Sequence, residues 1–211
     1  MMVFRTPSSI GTFFLLVATL VIPTISGCSP TAVTVEVPDK FTEYNLKDGT
    51  AAINYPDGWD AKGNGSRSRG MAYALFTKGD WEIRLDASFA DSLASGGGMA
   101  QGMIGEMGGV EEAMLLPPEQ MIQEKNRAWF EEKFRDYEEE EGELIRIPLG
   151  NSYVSEFSGQ KGWVKVKGIR AAIMARDRSV SFHAYCPASK WEDFGPIYRK
   201  MFEELKPGVQ Q

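Results

Sequence analysis

Apolar and polar residues alternate most regularly at Trp81, Ile83, Leu85, Ala87 and Phe89, with Glu82, Arg84, Asp86 and Ser88 between them. That period of two predicts a half-buried strand. Residues 51–56 (Ala-Ala-Ile-Asn-Tyr-Pro) and Met71 to Phe76 predict two more, the first ended by the turn Pro56-Asp57-Gly58. The stretch Gly63 to Gly70 between them reads as a loop. Pro117-Pro118 opens a predicted helix running to about Tyr137, in which Ile122, Trp129, Phe130, Phe134 and Tyr137 recur at helical intervals. Glu131 can pair there with Arg135, and Gly142 stops the helix.

Strands resume at 144–147, 153–157 and 163–166, and 169–175 pairs with 180–186 as a hairpin across Arg176-Asp177-Arg178. Val180, Phe182, Ala184 and Cys186 share one face of the last strand, so Cys186 is expected in the core and His183 on the opposite face. Ser189 with Glu192 reads as a capping box. Trp191, Phe194, Ile197, Tyr198, Met201, Phe202 and Leu205 then form one apolar stripe, which Pro196 is expected to break into a first turn and a main helix. Pro207-Gly208 ends the domain. Strands, a helix, more strands and a closing helix predict the α+β class: an antiparallel β-sheet flanked by helices.

The N-terminus follows a different pattern. Arg5 gives a short positive start, and Phe13 to Ile25 is an apolar run well short of the ~20 residues a spanning helix needs. Ile25-Ser26-Gly27-Cys28 follows. It resembles the bacterial lipobox: an aliphatic residue, two small residues, then the cysteine that takes the lipid. The resemblance implies cleavage after Gly27 and lipid on Cys28. Two or more acyl chains anchor a protein stably, at ~0.8 kcal/mol per buried methylene. Ser29 stands where an aspartate favours inner-membrane retention in enteric bacteria, which leans towards the outer membrane. The expected organisation is a leader at 1–27, a tether at 28–40 with Pro30 and Pro38, and one domain at 41–208.

Composition narrows the function. The net charge is −6, and losing Arg5 with the leader makes the remainder more acidic still. Such a chain does not hold nucleic acid by phosphate neutralisation, nor is it drawn to anionic lipid by charge. With lipid on Cys28, Cys186 is the remaining thiol and has no disulfide partner.

At this point the chain resembles a known family. Tyr55-Pro56-Asp57-Gly58-Trp59 after a strand is similar to the start of PsbP-like domains. The late hairpin, Cys186-Pro187, Trp191 and a final aromatic helix with Phe202 are similar to their end. The resemblance covers roughly residues 41–207 and implies an α/β/α sandwich around an antiparallel sheet. The known members of that fold mostly bind partners rather than catalyse.

Candidate chemistry is sparse. His183 is the one histidine, and no G-x-S-x-G accompanies it. Ser158-Gly159-Gln160-Lys161 fits S-x-x-K without the Ser-Asp-Asn companion. One histidine and one free thiol do not make a zinc site, and Glu138 to Glu141 reads as a solvated acidic helix end. The Gly63–Gly70 loop has arginines and glycines suited to an anion nest but lacks a P-loop ending; a surface loop is preferred. Met99, Met103 and Met107 place three thioethers on one face if helical. Thioethers suit Cu(I), whereas the interleaved glycines suit close packing against a partner; the partner contact is preferred. The expectation is a non-enzymatic, cofactor-free interaction or structural module, held at the membrane through Cys28 and meeting an envelope protein; the alternatives are a soft-metal (copper) binding lipoprotein using the Met stripe and, less favoured, a hydrolase using His183.

Overall fold

The computed structural model describes residues 35–66, 71–89, 116–175 and 178–209. Ten strands occupy most of them: β1 Phe41–Asn45, β2 Ala52–Pro56, β3 Asp60–Ser66, β4 Met71–Lys78, β5 Trp81–Phe89, β6 Arg135–Glu139, β7 Glu143–Ile147, β8 Gly150–Lys161, β9 Val164–Ala175 and β10 Arg178–Pro187. The helices are α1 Pro118–Lys125, α2 Arg127–Lys133 and α3 Trp191–Glu203, the last preceded by a 3₁₀ turn at Ala188–Lys190. β1 and β2 pair as a separate hairpin. The other strands form one antiparallel sheet in the order β3-β4-β5-β10-β9-β8-β6, with β7 also pairing β8. β6 and β7 take different stretches of the same β8 edge, Phe157 to Gln160 and Gly150 to Val154.

Two apolar layers sandwich the sheet. One face carries Ile83, Leu85, Ile169, Phe182, Ala184 and Cys186, covered by α3 and by residues of the β1–β2 hairpin. Trp191, Phe194, Tyr198, Met201 and Phe202 of α3 are buried there, one stripe at helical spacing. The other face carries Phe157, Val166 and Tyr185 beneath Phe130 and Phe134. This is the antiparallel sheet flanked by helices that the pattern predicts.

Local differences have local causes. Residues 63–66, expected in a loop, continue β3, because β4 supplies a full partner register from Asp60↔Thr77 to Ser66↔Met71. The helix expected to Tyr137 is two short helices. Asn126 closes α1, and α2 ends at Phe134, which is already extended. Tyr137 lies on β6, directly after Asp136 at φ 52 and within the register shift between Arg135 and Glu138. Glu131 pairs with Arg127, four residues before it, and not with Arg135. Ser189 caps nothing: Lys190 holds the N-cap of α3, and no side chain bonds there. Pro196 lies inside an unbroken α3. It stands near the N-terminus and costs one intrahelical bond, while the buried aromatic stripe on both sides of it holds the helix together.

The segments expected at 163–166 and 169–175 are one strand, β9, running through Gly168. A Cβ on Gly168 would sit 2.5 Å from the Ala184 carbonyl oxygen and 2.6 Å from the Phe157 ring. Backbone on one side and a buried ring on the other leave little room to relax. Gly168→Ala is therefore expected to lower stability by roughly 1–3 kcal/mol, the usual cost of overpacking. A urea midpoint equal to that of the wild type would show that the strand gives way freely.

Candidate functional site

Strand register sets out the chemistry on the α1–α2 face. Leu75, Arg84, His183, Arg170 and Ser155 fall in one row across β4, β5, β10, β9 and β8. The row on one side brings Tyr73, Asp86 and Ser181 together, and the row on the other brings Glu82 beside Tyr185. The polar residues that alternate along β5 thus line up with the polar set of β10.

Glu82 is the hub of the first cluster. Its carboxylate accepts from His183 Nε2 at 3.1 Å, from the Tyr185 hydroxyl at 2.8 Å and from Lys133 of α2. Burial pushes Glu82 up, but the donors His183 and Lys133 outweigh it and hold the carboxyl far below the usual range. Burial pushes His183 down, against the pull of Glu82, so the imidazole stays neutral at pH 7. Burial lowers Lys133 and raises Tyr185. Lys133 Nζ also lies 4.5 Å from the centre of the Trp129 ring, a cation–π contact.

A second cluster pins α1 to the sheet. Arg170, in the middle of apolar β9, lies 3.1 Å from Glu139, and both side chains are almost wholly buried. Its guanidinium also donates to the Tyr137 hydroxyl at 3.0 Å and to the Gln123 carbonyl of α1. Gln123 Nε2 and the Ser155 hydroxyl donate to Glu139 in turn. Glu138 and Glu139 are therefore strand residues, and Glu139 is a buried counter-ion, not part of a solvated helix end.

Beside these clusters the surface is concave. A cavity of about 540 Å³ opens between the β3–β4–β5–β10 floor and α2, with Tyr73, Arg84, Asp86, Trp129, Ser181 and His183 among its walls. That volume falls in the range of small-molecule sites. Arg84 grips Asp86 through two bonds of 2.7 and 2.8 Å. Asn126, between α1 and α2, donates to the Ser181 hydroxyl at 3.1 Å. Trp129 lies over the His183 ring, centre to centre 5.3 Å.

His183 thus lies under a helix, on the face opposite Cys186, and it has a carboxylate partner. Among the described residues no hydroxyl or thiol bonds to its ring, and Glu82 is shared with Lys133 and Tyr185. Ser158 and Lys161 stand three apart on β8, which puts them on opposite faces of a strand; Lys161 donates to the Tyr185 hydroxyl at 2.7 Å. Among the described residues no group of three His, Cys, Asp or Glu side chains is placed to hold a metal ion. Cys28, Gly27, Met99, Met103 and Met107 lie outside the described residues.

Cys186 is fully buried in the core. Burial, with Asp193 adding to it, pushes the thiol up to about 12. In the chain from Ser29 onward, a colorimetric disulfide reagent is expected to leave Cys186 unmodified until denaturant is added. Rapid modification of the folded protein would contradict the packing.

Sequence reasoning passed over Glu82, Arg170 and the pairing of Arg84 with Asp86. One signal was available: an arginine within the apolar run Ile169–Ala175 of a central strand requires a buried counter-ion.

No protein-family model matches the chain, and no curated protein does. Solved structures do. The solution structure of cyanobacterial PsbP (CyanoP) from Synechocystis sp. PCC 6803 is similar over 87% of this chain and 98% of that one, at 13% identity and a TM-score of 0.51. Fainter likenesses are to PA94 of Pseudomonas aeruginosa, a putative regulator of unknown function (14% identity, 81% and 99% covered, TM-score 0.40), and to LpqN of Mycobacterium tuberculosis, involved in cell envelope biogenesis (9%, 81% and 91%, TM-score 0.44). The chain has a PsbP-like fold.

Proposed function

We propose that this protein is a non-catalytic binding module of the cell envelope, held at the membrane by lipid on Cys28. One observation carries the reading: on the open α1–α2 face, the charged side chains lining the cavity are already paired with each other. Arg84 is closed on Asp86, and His183 Nε2 beside them is bonded to Glu82. A general base works best poised near the operating pH and in reach of the proton it takes. Here the groups are spent on holding shape, while the aromatic walls remain available for contact. The lipobox at Ile25 to Cys28 supports the anchor, and no described helix is long and apolar enough to cross a membrane.

The contact surface is the Gly- and Met-rich segment 95–109 with the helical region that follows it in the chain, whose α2 forms one wall of the cavity. Met99, Met103 and Met107 offer soft, adaptable contacts to an envelope protein. The test is crosslinking in intact cells, purification of the lipidated protein and identification of what accompanies it. One dominant envelope protein, lost when residues 95–109 are deleted from a chain that still folds, supports the reading. Unchanged capture by the deletion variant contradicts it.

A further inference from the structure

We infer that the cavity beside α2 is a site for an uncharged, largely apolar small molecule bearing a planar ring. The inference rests on the reading of this face as a binding surface and adds the chemistry of the occupant. Three of the large hydrophobic residues that remain exposed among the described residues, Met71, Tyr73 and Trp129, line this one cavity. Trp129 keeps 42% of its surface in water and Met71 68%, in a domain whose other described tryptophans, Trp163 apart, are buried. Exposed apolar surface gathered in one concavity marks a contact site.

The charges decide the class. The acidic and basic side chains of the lining, Arg84 and Asp86, form a closed pair. They are joined by a two-bond fork, and Lys133, outside the lining but in contact with the Trp129 ring, is held by Glu82. An anionic or cationic ligand would find its counter-ion already engaged and would have to break a fork to gain one. Asn126 and Ser181 at the wall are bonded to each other at 3.1 Å, and that single neutral bond leaves the Asn126 carbonyl, its second amide hydrogen and the Ser181 hydroxyl hydrogen to offer. These suit a neutral ligand with one or two hydrogen-bonding atoms. Phe130 and Trp129 from α2 and Tyr73 from β4 offer ring faces and edges, against which a planar ring packs well.

The probe is N-phenyl-1-naphthylamine, an uncharged aromatic amine that brightens when it leaves water. It is titrated into the chain from Ser29 onward, which contains the whole of the compact unit Val33–Gln211. Saturable one-to-one brightening is expected, with affinity at least tenfold weaker in Trp129→Ala and in the cavity-filling Ser181→Trp. Trp163→Ala, at a hairpin tip outside the cavity lining, should bind as the wild type does. Thermal melts of each variant confirm folding; if Ser181→Trp fails to fold, Trp129→Ala with Tyr73→Ala decides. The absence of saturable brightening, or equal affinity in the folded cavity variants, overturns the inference. Equal or tighter binding of the anionic anilinonaphthalene sulfonate overturns the uncharged class. Lost dye binding with retained partner capture removes this inference alone. Retained dye binding with no captured partner removes the protein-partner reading and leaves the ligand site.

Discussion

Replacing Arg170 with leucine is expected to lower the stability of the domain by about 3–5 kcal/mol, the cost of leaving a buried charge without its partner. Arg170 is 2% exposed and Glu139 has 8% of its side chain in water. Without the guanidinium, Glu139 keeps the Gln123, Ser155 and Tyr137 donors but loses its buried ion-pair partner. The Gln123 carbonyl and the Tyr137 hydroxyl lose their donor in the same step. The network also joins α1 to β6 and β9, so the helix should loosen with it. The double variant Arg170→Leu with Glu139→Leu should recover much of the loss, because replacing both members of a buried pair by apolar groups is often close to neutral. Urea unfolding of the wild type, both single variants and the double variant measures the coupling. A single variant within 1 kcal/mol of wild type would mean that water reaches Glu139.

Glu82→Leu is expected to cost a similar amount, about 3–5 kcal/mol, since it strips His183, Lys133 and Tyr185 of a shared acceptor at once. Here pH gives an independent reading. The folded-state value of His183 lies below its unfolded value of ~6.5. The unfolded chain therefore binds that proton first, and the contribution of neutral His183 is present above pH ~6.5 and is lost as pH falls below it. Glu82 is also lowered, so its contribution is present above the unfolded carboxylate value of ~4.3 and is lost further down. Stability should decline in two stages on acidification. His183→Gln should flatten the first stage, which sets in as pH falls below ~6.5, and leave the second. An unaltered first stage in that variant would place the titrating group elsewhere.

Much of the fold was legible because period-two alternation survives burial on one or both faces. β5 ends where its pattern ends, and β10 carries Cys186 to the α3 face and His183 to the α1–α2 face, as parity demands. The helical region was less legible. Phe130, Phe134 and Tyr137 satisfy helical spacing, yet after Phe134 the chain is extended and Tyr137 reaches the same apolar layer from a strand. Spacing alone does not separate those two routes to one core. The glycines at 63 and 65 looked like a loop, but on a strand they make room. A Cβ at Gly63 would meet the Tyr44 hydroxyl at 2.0 Å, so the small residue admits the crossing β1 side chain.

The site was mostly hidden for a different reason. Glu82 and His183 are 101 positions apart and meet because β5 and β10 are sheet neighbours. No local pattern records that pairing. The charges on β5 read as the polar face of a half-buried strand, and only the register shows that α2 covers one end of that face while the other end opens into the cavity. Arg170 was the exception, a charge in a buried strand whose partner had to exist somewhere.

The most direct test of the α1–α2 face as the binding surface is photo-crosslinking from within it. A benzoylphenylalanine residue is placed at Trp129 in the full chain, in cells that make the protein, and a matched one at Trp163, which is 93% exposed and outside the cavity lining. A discrete adduct is expected on irradiation at position 129 and none at 163. An adduct at 163 alone, or none at 129 in a folded, membrane-bound protein, would contradict it.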